Sequence, residues 1–289
     1  MIDLHMHTTA SDGELDPTTL VGQVYAAGIR TFSVTDHDTM AGVVEAAQAA
    51  AGYGMALLPG IEITAVDNGR DVHILGYFLE PTPLGLDDFL KSQRADRLRR
   101  AREISNKLSS LGRPIDVADT IAVAEEAGKS IGRPMLAQAL VNAGHVSTVQ
   151  EAFDRWLGDD GEAYVPRTGA VPVDVVRRVS RAGGVAALAH PGLLRKDDLV
   201  PELVEAGLGA IEVYHNDHDS GDQAHYLRLA EQHGLDVCGG SDFHSDRSHR
   251  ARRLGKIGLP RERFVSLLER VLLARTAAHN GMESSRREQ

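Results

Sequence analysis

Residues 1–13 read MIDLHMHTTASDG, and the hexapeptide IDLHMH at 2–7 bears on both fold and chemistry. In a strand, successive side chains alternate between faces. Ile2, Leu4 and Met6 then share one face, and Asp3, His5 and His7 share the other. The apolar face calls for a core. The opposite face presents two imidazoles, the commonest metal-binding side chain. Taken alone, the stretch also reads as a half-exposed strand with incidental histidines, so the rest of the chain has to decide.

Working outward, strand and helix alternate. Asp16 caps a helix with Pro17 in its first turn, where the missing N–H has no partner to lose. RTFSVTDHD (30–38) reads as the next strand and its exit, followed by the helix GVVEAAQAAAG (42–52). MALLPGIEIT (55–64) and DVHILGYF (71–78) supply further strand material. GVAALAHPG (184–192), LGAIEVYHN (208–216) and LDVCGGSDFH (235–244) repeat the theme, with helical stretches such as Asp222–Gly234 between them. Such alternation predicts parallel strands joined by right-handed crossovers. About seven strand candidates suit a barrel-like α/β fold better than a two-layer sandwich.

The middle differs. LDDFLKSQRADRLRRAREISNKLSSLG (86–112) is one long amphipathic pattern ended by Gly112, and GRPMLAQALVNAG (132–144) and STVQEAFDRWLG (147–158) are shorter helices. The division expected is barrel over 1–81, a helical insertion closing over the mouth at 82–165, barrel again over 166–275, and a frayed polar tail at 276–289.

Composition bounds the function. With 42% hydrophobic and 25% charged residues, the 289-residue chain is an ordinary globular protein. No run approaches the length of about 18 apolar residues that crosses a bilayer, and the N-terminus has no secretory pattern. The single cysteine, Cys238, sits in an apolar stretch, reads as buried, and fits a reducing cytoplasm. A net charge of −10 argues against a surface for duplex nucleic acid, while leaving room for anionic substrates held through cations or a local arginine cluster.

The other ligand-type residues fall at one class of position. His37 follows the second strand, Glu62 lies in PGIEIT, His73 in DVHILG and His190 in VAALAHPG. Asp242 and His244 are spaced like His5 and His7, and Asp12 follows the first strand. In parallel α/β folds, sites form at the carboxyl ends of strands. Singly, His73 reads as well as a satisfied core residue, Asp36 and Asp38 as helix caps, and HPG as a turn. Jointly, so many buried imidazoles and carboxylates would be costly without cations. Nine N and O donors exceed what one ion needs and imply two or three, with Glu62 as the central bridge. The mixture suits Mn²⁺, Zn²⁺ or Fe²⁺, with Mn²⁺ foremost, and is too nitrogen-rich for a dedicated Mg²⁺ or Ca²⁺ cage.

HMH, DG, TDHD, GIE, the VHILG histidine, AHPG and GSDFH occur in the order found in the PHP (polymerase and histidinol phosphatase) superfamily of metal-dependent phosphoesterases. The chain resembles most the TrpH/YciV-like members, which carry a helical insertion before AHPG. The resemblance implies a distorted (β/α)7 barrel with up to three ions. It implies one ion on His5, His7, Glu62 and Asp242, a second on Glu62, His73 and His190, and a third on Asp12, His37 and His244. It further implies hydrolysis of a phosphate ester by a metal-bound water; Asp38 or His218 is the candidate read from the chain for proton transfer.

For the phosphate, KSQRADRLRR offers Arg94, Arg97, Arg99 and Arg100, and IGRPM offers Arg133. Arg94 and Arg97 share a helical face, and guanidinium groups grip phosphate bidentately. The resemblance favours Arg97 and Arg133, with His218 also on phosphate. Two departures fall in the expected pocket: Met135 where relatives carry histidine, and Glu162 where they often carry lysine.

The substrates expected are nucleoside 3′,5′-bisphosphates or the 5′ ends of short RNA. A small-molecule phosphomonoesterase such as histidinol phosphatase, and a non-catalytic metal-binding module, are the alternatives. Tyr164, Tyr214 and Trp156 are the aromatic candidates for stacking a base. The sequence leaves the oligomeric state open.

Overall fold

The computed structural model describes residues 1–244 and 254–287. It is an α/β protein with two sheets. Strands β1 (Ile2–Asp3), β2 (Thr31–Phe32) and β3 (Ala56–Leu57) form a parallel three-stranded sheet. Strands β4 (Gly60–Asp67), β5 (Arg70–Tyr77), β6 (Val185–Leu188), β7 (Ala210–His215) and β8 (Asp236–Gly240) form the second, in sequence order.

The edges of the two sheets are linked by backbone hydrogen bonds. The Leu4 N–H donates to the Gly239 carbonyl at 3.0 Å, and the Asp242 N–H donates to that of His5 at 2.8 Å. On the other side, the Asp38 N–H donates to the Glu62 carbonyl at 2.8 Å. Leu4, Met6 and Phe32 are fully or almost fully buried, so the apolar face of the opening strand does enter the core.

The expected all-parallel pairing holds for β6–β7–β8 but fails at β4–β5–β6, where both pairs are antiparallel. The cause is local. Asn68 and Gly69 between β4 and β5 both take positive φ, 49° and 79°. A two-residue turn of that hand, favoured by Asn-Gly, closes a hairpin and leaves no room for a crossover helix.

Helices α1 (Pro17–Ala26) and α2 (Val43–Gly52) cover the first sheet, and Asp16 caps α1 by accepting from the Thr19 N–H. Such a cap contributes about 1 kcal/mol. Among the described residues, 78–184 contains helices and no strand. These are α3 (Asp87–Ser110), α4 (Ala118–Glu126), α5 (Arg133–Asn142), α6 (Val149–Ala152) continued by a π turn (Phe153–Leu157), and α7 (Pro172–Arg181). Leu98, Ile104, Leu108, Leu140, Trp156 and Leu157 pack into a core of their own within this stretch.

Helices α8 (Pro191–Leu194), α9 (Val200–Glu205) and α10 (Ser220–His233) connect the later strands. The last helix, α11, runs Arg261–Arg287, so the segment expected as a frayed tail is helical to 287; residues 288–289 lie outside the described residues. No helix of the described residues is long and apolar enough to cross a membrane.

Candidate metal centre

Glu62 is the centre of the site. Its Oε1 lies 2.8 Å from His73 Nδ1 and 3.1 Å from His190 Nε2. Its Oε2 lies 3.4 Å from His5 Nε2, 3.2 Å from His7 Nε2 and 3.2 Å from His37 Nδ1. Five imidazoles, four from the ends of β1, β2 and β6 and one from the middle of β5, therefore meet one carboxylate that is 1% exposed. Two further carboxylates flank it. Asp242 Oδ1 is 3.4 Å from His5 Nε2 and 3.3 Å from His7 Nε2. Asp12 Oδ1 is 3.4 Å from His244 Nε2, and its Oδ2 is 3.7 Å from His37 Nε2.

All nine ligand candidates from the sequence are thus brought together. Their donor atoms form three groups compact enough for an ion: His7, Asp12, His37 and His244; His5, His7 and Asp242; and His37, Glu62 and His73. His190 reaches Glu62 but stands outside those groups.

The donor set fits divalent cations. His5 Nε2, His7 Nε2, Asp12 Oδ1, His37 Nδ1 and His73 Nδ1 are buried and make no hydrogen bond. Burying such atoms unsatisfied costs free energy that coordination would recover. The charges are tuned toward the same end. Burial would raise the Glu62 carboxyl, yet His73, His37 and His5 hold it well below the usual carboxylate range. Burial likewise opposes ionisation of Asp12 and Asp242, and the surrounding histidines hold both well below. Burial pushes His7 down, but the neighbouring carboxylates of Asp242, Glu62 and Asp12 lift it to about 10. For His37 burial wins over Glu62 and Asp12, and its pKa falls well below the ordinary value.

The backbone is strained where ligands leave the sheet. Asp38, His190 and Asp242 have positive φ of 53°, 27° and 50°. Residues other than glycine and asparagine seldom adopt this region, and it clusters at functional sites.

Two site residues escape the sequence reading. Glu212 Oε1 accepts from His5 Nδ1 at 3.0 Å, and its Oε2 accepts from the backbone N–H of His190 at 2.7 Å. It fixes the His5 proton on Nδ1 and leaves Nε2 as an electron-pair donor toward the centre. His215 is fully buried, its Nδ1 accepts from the Asp217 N–H, and its Nε2 faces Asp242 Oδ2 at 3.5 Å. Residues 212 and 215 belong on opposite faces of a regular strand. A bulge at Val213 shifts the register between Glu212 and Tyr214 and turns both toward the centre.

A cavity of about 1140 Å³ opens on the centre and is lined by Arg97, Arg133, Arg167, Met135 and Phe153 among others. Arg97 and Arg133 therefore lie where the sequence places them, and so does Met135. Arg94, Glu162, Tyr164, Tyr214 and Trp156 are not on its wall. Arg94 instead donates to the Asp38 carbonyl at 2.9 Å.

Asp38 and His218 are committed elsewhere, which speaks against moving protons at the reacting atoms. Asp38 accepts from Arg97 Nε at 2.5 Å and from the Thr64 N–H at 3.0 Å. His218 donates from Nδ1 to the Val213 carbonyl, freed by the bulge, and its Nε2 accepts from the Gly192 N–H at 3.0 Å. Gly192 is required there, since a Cβ would stand 2.5 Å from His218 Cδ2. Asp36 is no helix cap either: it accepts from Thr8 and Ser11 and pins the loop after β1.

Fold and site together define an α/β protein built around a cluster of histidines and carboxylates that could hold metal ions. Residues 3–157 match the PHP domain, and the chain belongs to the PHP family. It is 34% identical over 252 residues to a 3′,5′-nucleoside bisphosphate phosphatase of Chromobacterium violaceum, covering 84% of this chain and 87% of that one. It is 36% identical over 251 residues to a 5′-3′ exoribonuclease of Haemophilus influenzae, covering 84% and 89%. A solved structure from Bifidobacterium adolescentis, described as a metal-dependent phosphoesterase, superposes with a TM-score of 0.84 at 34% identity over 93% of this chain and 96% of that one.

Proposed function

We propose that the chain is a metal-dependent phosphoesterase acting on nucleotides, nucleoside 3′,5′-bisphosphates and the 5′ ends of short RNA foremost. The observation that carries this reading is the convergence of five imidazoles on Glu62 at the floor of an arginine-lined cavity. His5, His7, Glu62 and Asp242 would hold one ion, Glu62, His73 and His190 a second, and Asp12, His37 and His244 a third. Two or three divalent ions, Mn²⁺ foremost, supply a lowered water pKa and charge neutralisation at the phosphoryl oxygens when bound.

The chain's own residues do the rest. Arg97, locked by Asp38 and Thr64, and Arg133 present fixed N–H groups to the phosphate. Glu212 keeps the His5 proton away from the centre, and His215 orients Asp242. Burial of the floor excludes bulk water and strengthens every charge interaction there.

The finer architecture is part of the same reading. The backbone bonds between sheet edges support one distorted (β/α)7 barrel, with 82–165 as a helical insertion over its mouth. The lone cysteine, buried and free, suits a cytoplasmic setting.

The test is phosphate release with Mn²⁺ from adenosine 3′,5′-bisphosphate, AMP, histidinol phosphate and a short 5′-phosphorylated RNA, beside the Asp242→Asn variant. Turnover of the bisphosphate or the RNA that disappears in the variant is expected. Turnover of histidinol phosphate alone would replace the nucleotide reading, and silence on all four with metal bound would overturn it.

A further inference from the structure

His7, Asp12, His37 and His244 form one of the three compact groups of donors, and Asp12 and His244 belong to that group alone. Neither of the two lies in a strand, so the sheet does not hold them in place. The loop that carries Asp12 is instead folded around Asp36, a carboxylate that belongs to none of the groups.

Asp36 is fully buried and uses both of its oxygens. Its Oδ1 accepts from the Thr8 N–H at 2.8 Å and from the Ser11 hydroxyl at 2.6 Å, and its Oδ2 accepts from the Thr8 hydroxyl at 2.7 Å. The Thr8 carbonyl accepts in turn from the N–H groups of Ser11 and Gly13, each at 3.0 Å. Asp12 is thereby bracketed by two residues that are tied back to Thr8 and Asp36. The fit is close. A Cβ on Gly42 would stand 2.9 Å from both Asp36 Oδ2 and Thr8 Oγ1, and one on Gly13 would stand 2.4 Å from the His7 carbonyl oxygen.

The same loop reaches His244. The Glu14 N–H donates to the His244 carbonyl at 2.8 Å, and the His244 ring stacks on that of His7 with centroids 4.0 Å apart. His37 follows Asp36 in the chain, and His7 precedes Thr8. All four donors are therefore linked to Asp36 by the chain itself or by this loop. The other groups have different supports. The Asp242 N–H donates to the His5 carbonyl, and Glu62 and His73 lie within the paired strands β4 and β5.

We propose that Asp36 is the positioning residue for the ion that Asp12, His37 and His244 would hold, and that the other two sites do not depend on it. This rests on the metal reading above and assigns one of its sites a support of its own. The role is geometric. Three hydrogen bonds fix the loop, and the loop aims Asp12 and His244; outer partners of ligands commonly govern affinity in this way. An asparagine can reproduce the three bonds, since its oxygen accepts at the place of Oδ1 and its NH₂ donates to the Thr8 hydroxyl oxygen.

The test is titration of the metal-free protein with Zn²⁺, followed by calorimetry and by ¹H–¹⁵N spectra of the imidazole rings. His244 reports the proposed site, and His5 and His73, each confined to one other group, report the rest. Asp36→Ala should weaken the ion read at His244 about 10- to 100-fold and leave those read at His5 and His73 as in wild type. Ser11→Ala removes one of the three bonds and should weaken the same ion by less, which keeps the test decisive should Asp36→Ala fail to fold. Asp36→Asn should retain most of the affinity. Unchanged affinity at His244 in the alanine variants, or an equal loss at all three reporters in Ser11→Ala, would overturn the inference. A fall in Asp36→Asn as deep as in Asp36→Ala would overturn it in favour of an effect of charge. Zn²⁺ that moves His5 and His73 but not His244 in wild type would refute this assignment and leave the phosphoesterase reading standing, whereas no shift at any of the three sinks both. The expected pattern without Mn²⁺-dependent phosphate release would sink the phosphoesterase reading and leave the role of Asp36 intact.

Discussion

Replacing Glu212 with glutamine probes how the metal centre is aimed. Glu212 receives two donors at once, His5 Nδ1 at 3.0 Å and the His190 backbone N–H at 2.7 Å. An amide of the same shape offers one oxygen and one NH₂, so one of those donors would face another donor. If that donor is His5, its proton moves to Nε2, the atom that points at Glu62 and Asp242 from 3.4 Å. The electron pair needed for coordination is then lost. Removing such an outer partner lowers metal affinity about 10- to 100-fold, or about 1.4–2.7 kcal/mol. If the mismatched donor is the His190 amide, a buried N–H is left unpaired at a residue whose φ is already 27°. That costs about 1–3 kcal/mol of folding stability. Chelator competition with Mn²⁺ or Zn²⁺ reads the first outcome, and urea unfolding of the metal-free protein reads the second. At least one should appear. Wild-type metal affinity together with an unchanged unfolding midpoint would refute the reasoning.

Three further expectations follow from the same geometry. Stripping divalent ions should lower the melting temperature, and restoring one at about a hundred times its dissociation constant should return about 2.7 kcal/mol per site; equal melting in scanning calorimetry would sink the metal assignment. Arg97→Met leaves Asp38 without its main partner in a pair whose side chains are 4% and 0% exposed. Breaking such a pair costs about 3–5 kcal/mol in urea unfolding, and the double variant with Asp38→Leu should recover much of it. Gly192→Ala places a Cβ 2.5 Å from His218 Cδ2, so the clip between α8 and the β7 bulge must shift. A loss of about 1–3 kcal/mol is expected, and a neutral effect would mean that the clip yields freely.

The centre was largely legible in the sequence because most of its ligands follow strand ends, where HxH and DxH spacing survives any detail of the sheet; Glu62 and His73 lie within β4 and β5. Glu212 and His215 were not legible, for a definite reason. Alternation assigns residues three apart to opposite faces, and only the bulge at Val213, a property of the pairing with β8, reunites them. Asp38 and His218 carried the look of reactive groups; in the structure Asp38 accepts from Arg97 and His218 accepts from the Gly192 N–H. The antiparallel β4–β5 pair was signalled by Asn68-Gly69, a turn dipeptide overshadowed by the dominant strand–helix rhythm.

The opening strand closes against the end of β8, and the Asp3 side chain accepts from the Ser241 N–H across a separation of 238 residues. Synthesis runs from His7 to Asp242 in about 10 to 50 s at ordinary elongation rates. For that whole interval the first imidazoles exist without the carboxylate that completes their group. A nascent chain, or one cut before residue 242, carries His5 and His7 with no Asp242 to finish the site. Completion of the His5, His7 and Asp242 group thus waits on residues far along the chain, whereas the His37, Glu62 and His73 group has all its members by residue 73.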